Sequence, residues 1–409
     1  MSAGATTTGD GVSGLSGVWR SGHWPSLLAA FLYFDAAFMI WVLLGPLAPF
    51  IARDVALSPG ATGMMIAVPT LAGALLRPFA GHAVDRFGAR STGIAAQAIV
   101  IAALAGASLG GVSSYAGLLA LGTILGVAGA SFAVALPLAS RWYPPRMQGL
   151  VQGLAGMGNS GVVLAALFAP WLAASFGWRA VFVLFCLPLA AVLLLFVLLA
   201  RDAPSAPPPR GRAGPLLKDK DCLQLMGLYA ITFGGFVGFA ASLPIVLTTR
   251  FEIDAVAAGR WTALLVLAGS CVRPLGGGVA DRFGGARTLT LLLALAAVAL
   301  ASAGLARDRD VIVAMLALVM LMLGLGNGAV FQLVPQRFAV SGGAATGIIG
   351  MAGGLGGFGL SLALGYSRQW FGGYAPAFLL FAIAALIAGF GVARVAPRWR
   401  REWHGTARI

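Results

Sequence analysis

Two arginines stand inside otherwise apolar stretches of the 409-residue sequence, in nearly identical surroundings. Arg77 begins the segment RPFAGHAVDRFG and Arg273 begins RPLGGGVADRFG, so each arginine precedes an Asp-Arg pair by eight residues. A guanidinium is planar, always charged and able to donate two parallel hydrogen bonds to a planar oxyanion. Two of them facing one small anion would leave the occupied site positively charged. The repeated pattern therefore predicts a site for a small, weakly hydrated anion.

The spacing within each motif would place both arginines deep in a membrane. An Asp-Arg pair belongs at a helix end, and eight helical residues rise about 12 Å, whereas the hydrocarbon core is about 30 Å thick. A cation near the midplane costs at least ~2.5 kcal/mol and requires a partner or a water-filled cavity. Pairing with a carboxylate is the alternative explanation, but Asp35 is the only acidic residue well inside a predicted span. At least one arginine therefore lacks an acidic partner.

The acidic residues of these segments suggest coupling and gating. Asp35 has two open interpretations, a proton carrier or a fixed counter-charge, because burial favours its protonated form and a nearby arginine favours the ionised one. Asp85 with Arg86, and Asp281 with Arg282, lie at helix ends. We expect these pairs to make charge contacts between helices that favour one gate state, and to affect rate more than selectivity.

The composition indicates a polytopic membrane protein. Hydrophobic residues make up 59% of the chain and charged residues 10%, against about 25% charged residues in soluble domains. The shortfall extends along the whole sequence, in apolar runs near the roughly 20 residues that a spanning helix needs. Twelve spans are predicted, at about 27–50, 62–82, 92–110, 115–139, 149–171, 179–200, 223–247, 257–280, 287–305, 311–334, 343–366 and 373–396.

The longest polar break follows the sixth span, which predicts two six-helix halves. Basic residues favour one orientation: 18 Lys and Arg fall on the side of the termini and 7 on the opposite side. This bias places both termini in the cytoplasm and the chain in the inner (plasma) membrane, and it explains the net charge of +14 without nucleic acid. The predicted divisions are a tail at 1–26, a bundle at 27–200, a linker at 201–222, a bundle at 223–396 and a tail at 397–409.

The halves repeat with an offset of 196 residues between the two arginine motifs. An even number of spans per half makes the repeats parallel, as in transporters that hold substrate between their halves near the midplane. GHAVDRFGAR, at 81–90, resembles the loop motif of the major facilitator superfamily. The resemblance implies an all-α membrane protein of the major facilitator fold, with twelve helices in two pseudo-symmetric bundles.

Four further segments resemble the nitrate/nitrite porter family of that superfamily. They are GASFAVALPLASRWYPPRMQGLVQGLAGMGNSG at 129–161, GIIGMAGGLGGFG at 347–359, GLGNGAVFQLVPQRF at 324–338 and FLYFDAAFMIWVLLGPLAPF at 31–50. The first two are similar to the family's two nitrate signatures, and the last is similar to helix 1 of its shorter, proton-coupled members. The resemblance implies transport of nitrate, with nitrite as a second candidate substrate.

The family pattern also implies a set of site residues around the arginine pair. Phe132, Tyr229 and Phe233 match aromatic residues that line the anion site, although any one of 24 phenylalanines is more often a packing residue. Asn159 matches the asparagine of the first signature, with hydrogen bonding between helices as the alternative. Two glycines of the signatures serve helix packing, backbone contact with substrate, or both: Gly156 and Gly350. Gly350 stands where some members place a serine, so the preference between nitrate and nitrite stays open.

The resemblance favours nitrate/proton symport for uptake, and four alternatives remain. Two are transporters of small anions: a nitrate/nitrite antiporter, and a carrier of another anion such as cyanate or a carboxylate. The others are a drug/proton antiporter, which would need an acidic cavity, and a membrane sensor without flux, which no appended signalling domain supports. The sequence has no P-loop, so ATP does not drive it. No enzyme motif, cofactor site or metal-ligand spacing is present in the sequence. We expect a monomer in membrane lipid, with protons as the coupling ion.

Overall fold

The computed structural model describes residues 19, 21–112, 114–144, 147–204, 213–338 and 342–403. Within these residues twelve helices are long and apolar enough to span a membrane, so the twelve predicted spans are confirmed. The helices are α1 Trp24–Asp54, α2 Pro59–Phe87, α3 Ala89–Gly110, α4 Tyr115–Ser140, α5 Val151–Phe176, α6 Trp178–Leu199, α7 Lys220–Phe251, α8 Ala255–Phe283, α9 Gly285–Leu305, α10 Arg309–Arg337, α11 Ala344–Phe371 and α12 Ala375–Glu402.

Most helices extend a few residues beyond the apolar runs that predicted them. α12 continues to Glu402, well past residue 396, because its last turns dock against α7 through polar contacts that hydropathy does not detect. The region predicted as a linker contains one helical turn, Ala213–Leu216. Residues 205–212, which hold the proline run and two of the linker's basic residues, lie outside the described part of the chain.

Four helices are interrupted along their length, and the interruptions carry the residues of interest. α1 pauses at Val42 and Leu43 and α4 at Ala130 and Ser131. α8 pauses at Val272, so that Arg273 begins the second half of that helix. The early part of α5 contains a 3₁₀ turn, Met157–Ser160. In a membrane such irregular backbone is tolerated where it is buried in protein or lines a cavity.

The helices form two bundles, α1–α6 and α7–α12, which meet chiefly through α2 with α11, α5 with α8 and α1 with α7. We call the end where α1 begins and α12 ends the terminal face, and the opposite end the far face. Three segments on the terminal-face side pack within their own bundles. They are Phe132–Ser140 of α4, Gln148–Gly156, which leads into α5, and Arg273–Phe283 of α8. The cleft between the bundles therefore opens toward the terminal face.

Close backbone approach seals the cleft at the far face. A Cβ atom added to Gly63 of α2 would lie 2.7 Å from Cα of Gly365 in α11, and the reverse is also true. One turn further out, the backbone N–H of Gly60 donates to Oε1 of Gln369 at 2.8 Å. Small residues permit such contact between membrane helices. The two bundles are thus joined along α2 and α11 from the far face to the middle of the cleft.

A polar cluster joins α7, α10 and α12 at the terminal face. The Asp221 carboxylate is 4% exposed and accepts hydrogen bonds from Nε of Arg337 at 2.7 Å and from the Trp399 and Trp403 indoles at 2.7 and 3.2 Å. Arg398 completes the set as a second ion-pair partner. Removal of this carboxylate would leave the two indoles without their acceptor, and it would leave Arg337 with Asp219 and Arg398 with Glu402 as their remaining carboxylate partners.

We expect Asp221→Ala to lower the stability of the folded protein by about 3 kcal/mol, because breaking a buried ion pair strands its partners. The measurement is the thermal unfolding midpoint of the purified protein in detergent. Asp310→Ala is the matched control, because Asp310 pairs with Arg309 while its side chain is 83% exposed. Such a surface pair contributes about 0–1 kcal/mol. Equal midpoints for the two variants would show that the cluster does not stabilise the bundle.

Candidate anion-binding site

Arg77 of α2 is buried at the bundle interface, with 3% of its surface exposed. Its Nε donates to the carbonyl of Gly129, at the α4 interruption, over 3.3 Å. Its Nη1 donates to the carbonyl of Gly350 in α11, which belongs to the other bundle. Nη2 is buried and has no hydrogen-bond partner. A buried charged donor without a partner is energetically unfavourable. Nη2 is therefore a donor that a bound anion could satisfy.

Three aromatic rings surround the Arg77 guanidinium. Its Cζ lies 5.5 Å from the ring centre of Trp41, 5.6 Å from that of Phe132 and 5.7 Å from that of Phe233. These distances fall within the range of cation–π attraction. The rings stabilise the charge without using its hydrogen-bond donors, and they exclude water from it.

Arg273 of α8 occupies the other side of the cleft and is only partly buried. Its Nη2 donates to the hydroxyl of Tyr229 over a long 3.5 Å, and its Cζ lies 5.8 Å from the ring centre of Phe331. None of the ion pairs between described residues includes Arg77 or Arg273. Both positive charges therefore face the cleft without a protein counter-ion.

Aromatic contacts connect the two arginines by two routes. On one side Phe233, beside Arg77, stacks on Tyr229 with ring centres 4.9 Å apart and planes 7° apart, and Tyr229 contacts Arg273. On the other side Phe132 lies 6.2 Å from Phe331, across the bundle interface. These six residues form one connected cluster of two positive charges and four aromatic side chains, which joins α2 and α4 to α7, α8 and α10. Such surroundings suit a small anion that is poorly hydrated.

The structure brings together six of the eight predicted substrate residues. They are Arg77, Arg273, Phe132, Tyr229, Phe233 and Gly350. At Gly350 an added Cβ would lie 3.2 Å from Nη1 of Arg77, so a serine there would crowd the guanidinium in this arrangement.

The other two predicted residues lie on α5. The Asn159 side chain is buried. Of the two possible amide orientations, the one that satisfies its hydrogen bonds has the amide nitrogen donating to the carbonyls of Gly156 and Met157 at 3.2 and 3.3 Å. These contacts lie within its own turn. Gly156 is buried, yet a Cβ there would meet nothing within 4 Å, so open space lies beside it. A contact of either residue with an anion remains a prediction.

Sequence reasoning missed Trp41, Phe331 and Gly353 as parts of the site. A signal existed for Trp41, because an indole N–H deep in a span needs an acceptor. Phe331 had no signal that set it apart from the other phenylalanines. Gly353 lies one helical turn from Gly350, and an added Cβ there would be 2.7 Å from both stacked rings.

Asp35 lies near the cleft but is not paired with either arginine. The Ser160 hydroxyl donates to its Oδ1 at 2.7 Å. Ser160 follows Asn159 in the 3₁₀ turn of α5, and Gly161 lets that turn pack directly on the α1 backbone at Asp35. Asp35 is partly exposed.

The predicted gating residues lie at the terminal face. Asp85 of α2 forms an ion pair of 2.8 Å with Arg141 at the end of α4, a contact between helices of the same bundle. Arg86 and Arg282 each cover the next phenylalanine in the chain, with 5.4 Å from Cζ to the ring centre in both cases. Asp281 is exposed at the same face. Their effect on a gate remains a prediction.

Comparison with known proteins identifies the family of the chain. A family model described as Major Facilitator Superfamily matches residues 27–360. The chain is 37% identical over 359 residues to the probable nitrate/nitrite transporter NarK2 of Mycobacterium tuberculosis H37Rv, covering 86% of this chain and 91% of that relative. It is 32% identical over 353 residues to the nitrite extrusion protein of Bacillus subtilis 168, covering 86% and 89%.

Solved structures share the fold at lower sequence identity. A bacterial homolog of the human lysosomal transporter Spinster, in an inward-facing and occupied conformation, has a TM-score of 0.72 at 18% identity, covering 93% of this chain and 98% of its own. The xylose transporter XylE from E. coli, in a partially occluded inward-open conformation, has a TM-score of 0.73 at 16% identity, covering 92% and 100%.

Proposed function

This chain belongs to the major facilitator superfamily and, within it, to the nitrate/nitrite porter family, and on that premise we propose that it carries nitrate across the bacterial plasma membrane by alternating access, with nitrite as a second substrate. One observation supports the proposal above the others. A buried guanidinium, Arg77, presents a donor without a partner to a cleft that also holds Arg273, and no carboxylate in the described part of the chain pairs with either arginine.

The charge of the pair supports a mechanism for substrate-dependent closure. Nitrate would accept from Nη2 of Arg77 and from the Arg273 guanidinium, and so bridge α2 and α8. Like charges repel across the empty cleft, and this repulsion is strong where water is excluded. A bound anion offsets it, so the bundles close around an occupied site more readily than around an empty one. The same repulsion suppresses closure without cargo, and therefore leak.

The sidedness of the cleft follows from the distribution of basic residues. Positive residues concentrate on the cytoplasmic side of membrane proteins. By position in the sequence, 18 Lys and Arg residues fall in segments on the side of the termini and 7 in segments on the opposite side. We therefore place both termini in the cytoplasm. On this assignment the cleft opens inward, and the glycine contacts of α2 and α11 form the closed periplasmic gate.

Energetics favours coupling to protons for uptake. Moving one anion into a negative interior costs about 2.3 kcal/mol per 100 mV. Entry together with one proton is electroneutral, and entry with two lets the potential drive uptake. We assign Asp35 to carry the proton, because it is partly exposed and contacts the 3₁₀ turn of α5 that contains Asn159.

The test of the function is counterflow of labelled nitrate in proteoliposomes that contain the purified protein, with and without a pH gradient. We expect an inward proton gradient to drive nitrate accumulation and an uncoupler to abolish it. Uptake that resists the uncoupler and depends on internal nitrite would instead identify an exchanger. Counterflow of labelled cyanate or of a labelled carboxylate, with no counterflow of nitrate in the same proteoliposomes, would overturn the substrate assignment.

We expect Asp35→Asn to lose proton-driven accumulation and to keep nitrate–nitrate counterflow. Asparagine preserves the hydrogen-bonding shape but cannot bind and release the proton, whereas exchange of nitrate for nitrate needs no net proton movement. Asp310→Asn, at an exposed position of the far face, is the control and should behave as wild type. Accumulation that survives in Asp35→Asn would rule this residue out as the proton carrier.

A further inference from the structure

Trp41 lies immediately before the interruption of α1 and is fully buried. It is the last residue of the segment Trp24–Trp41, and the helix resumes at Leu44. Its indole N–H donates to the carbonyl of Pro69 in α2 at 2.7 Å. That bond uses the only hydrogen-bond donor of the side chain, so Trp41 has no polar group left for an anion.

Two glycines make room for the indole between helices. An added Cβ at Gly73 of α2 would lie 2.8 Å from the indole nitrogen, and one at Gly129 of α4 would overlap the ring still more. The indole is thus a wedge that fixes α1 against α2 and α4. Gly129 has a second role, because its carbonyl accepts from Nε of Arg77.

The wedge determines where the Arg77 guanidinium stands. The indole lies 5.5 Å from Cζ of Arg77, and its hydrogen bond is made to a residue two helical turns before that arginine on α2. The Trp41 ring and the Gly129 carbonyl together hold the edge of the guanidinium that carries Nε. Nη2 is the guanidinium donor that remains without a partner. A long, flexible side chain held this way loses less freedom when it binds an anion.

We propose that Trp41 is a positioning residue for the anion: it holds the Arg77 guanidinium in its binding orientation without touching the substrate. The inference rests on the proposed function, because it assigns to Trp41 a share of the nitrate affinity. A positioning role affects the concentration dependence of transport, whereas a purely structural role would affect stability and the amount of active protein.

The experiment measures nitrate counterflow in proteoliposomes as a function of nitrate concentration. Trp41→Leu removes the ring, and we expect its KM to rise about 3- to 30-fold, the range of a desolvated cation–π contact. Trp41→Phe keeps a ring and loses the N–H, and we expect a rise of about 2- to 3-fold. In both variants kcat should stay within about twofold of wild type. Trp261→Leu, at a 46% exposed position of α8, is the control.

A KM that increases in the order wild type, Phe, Leu supports the inference. An unchanged KM in either variant overturns it, and so does a fall in kcat alone. If Trp41→Leu does not fold, the KM of Trp41→Phe decides by the same criterion. Failure of the wild-type protein to exchange nitrate would refute the proposed function, which is a separate result from an unchanged KM in active variants.

Discussion

Arg77→Gln and Arg273→Gln should each abolish nitrate transport, with initial rates of counterflow lowered about 30-fold or more. Each glutamine keeps a polar but shorter side chain and removes one of the two charges that face the cleft. The anion would then meet one guanidinium instead of two. Loss of a charged hydrogen bond in a site without water is not compensated by solvent.

Arg260→Gln is the matched control, because Arg260 is exposed on the same helix as Arg273 and near the far face. We expect it to transport at the wild-type rate. Thermal unfolding in detergent shows whether the three variants are folded. Normal nitrate counterflow in either Arg77→Gln or Arg273→Gln would mean that the anion binds elsewhere, and the mechanism of closure would fail with it.

The helices were predictable because a membrane leaves the backbone few alternatives. Each spanning segment must satisfy its own peptide groups, so apolar length alone located all twelve. The polar ends were less predictable. The docking of α12 depends on the Asp221 carboxylate, and that contact joins residues 177 positions apart in sequence. Hydropathy contains no information on such a pairing.

Breaks inside helices were harder to predict than the helices themselves. Arg77 and Arg273 are both followed by proline in the same motif, yet α2 runs through Pro78 and α8 is interrupted just before Pro274. The residue before a proline is only biased away from the helical region, so tertiary contacts decide the outcome. The pause in α4 has no proline within four residues on either side, whereas Pro46 lies four residues after Val42 in α1 and cannot donate to its carbonyl.

The charged residues of the site were visible in the sequence, and their surroundings were not. Two cations in apolar helices require an explanation from physical chemistry alone. The aromatic residues became candidates only through resemblance, because packing and site phenylalanines look the same in sequence. Trp41 beside Arg77 and Phe331 beside Arg273 complete the site through contacts between helices. No local pattern specifies which face of a helix meets the cleft.

Gly353 gives the second prediction of large effect. It lies on α11 directly against the stacked rings of Tyr229 and Phe233, where an added Cβ would come within 2.7 Å of a carbon of each ring. Tyr229 and Phe233 are 1% and 3% exposed, so neither ring can move out into solvent without a shift of its neighbours. Tyr229 is the hydrogen-bond partner of Arg273, and Phe233 is one of the three aromatic rings around Arg77. A side chain at this position therefore disturbs both arginines at once.

We expect Gly353→Val to lower the kcat/KM of nitrate counterflow about 10- to 100-fold, since overpacking a tight contact costs typically 1–3 kcal/mol. Gly359→Val is the matched control: it makes the same change in the same helix, at an exposed position where an added Cβ meets nothing within 4 Å. Any intrinsic effect of valine on helix formation is therefore shared by the two variants. If both transport at the wild-type rate, the ring pair tolerates displacement, and the orientation of the arginines does not depend on the contact between α7 and α11.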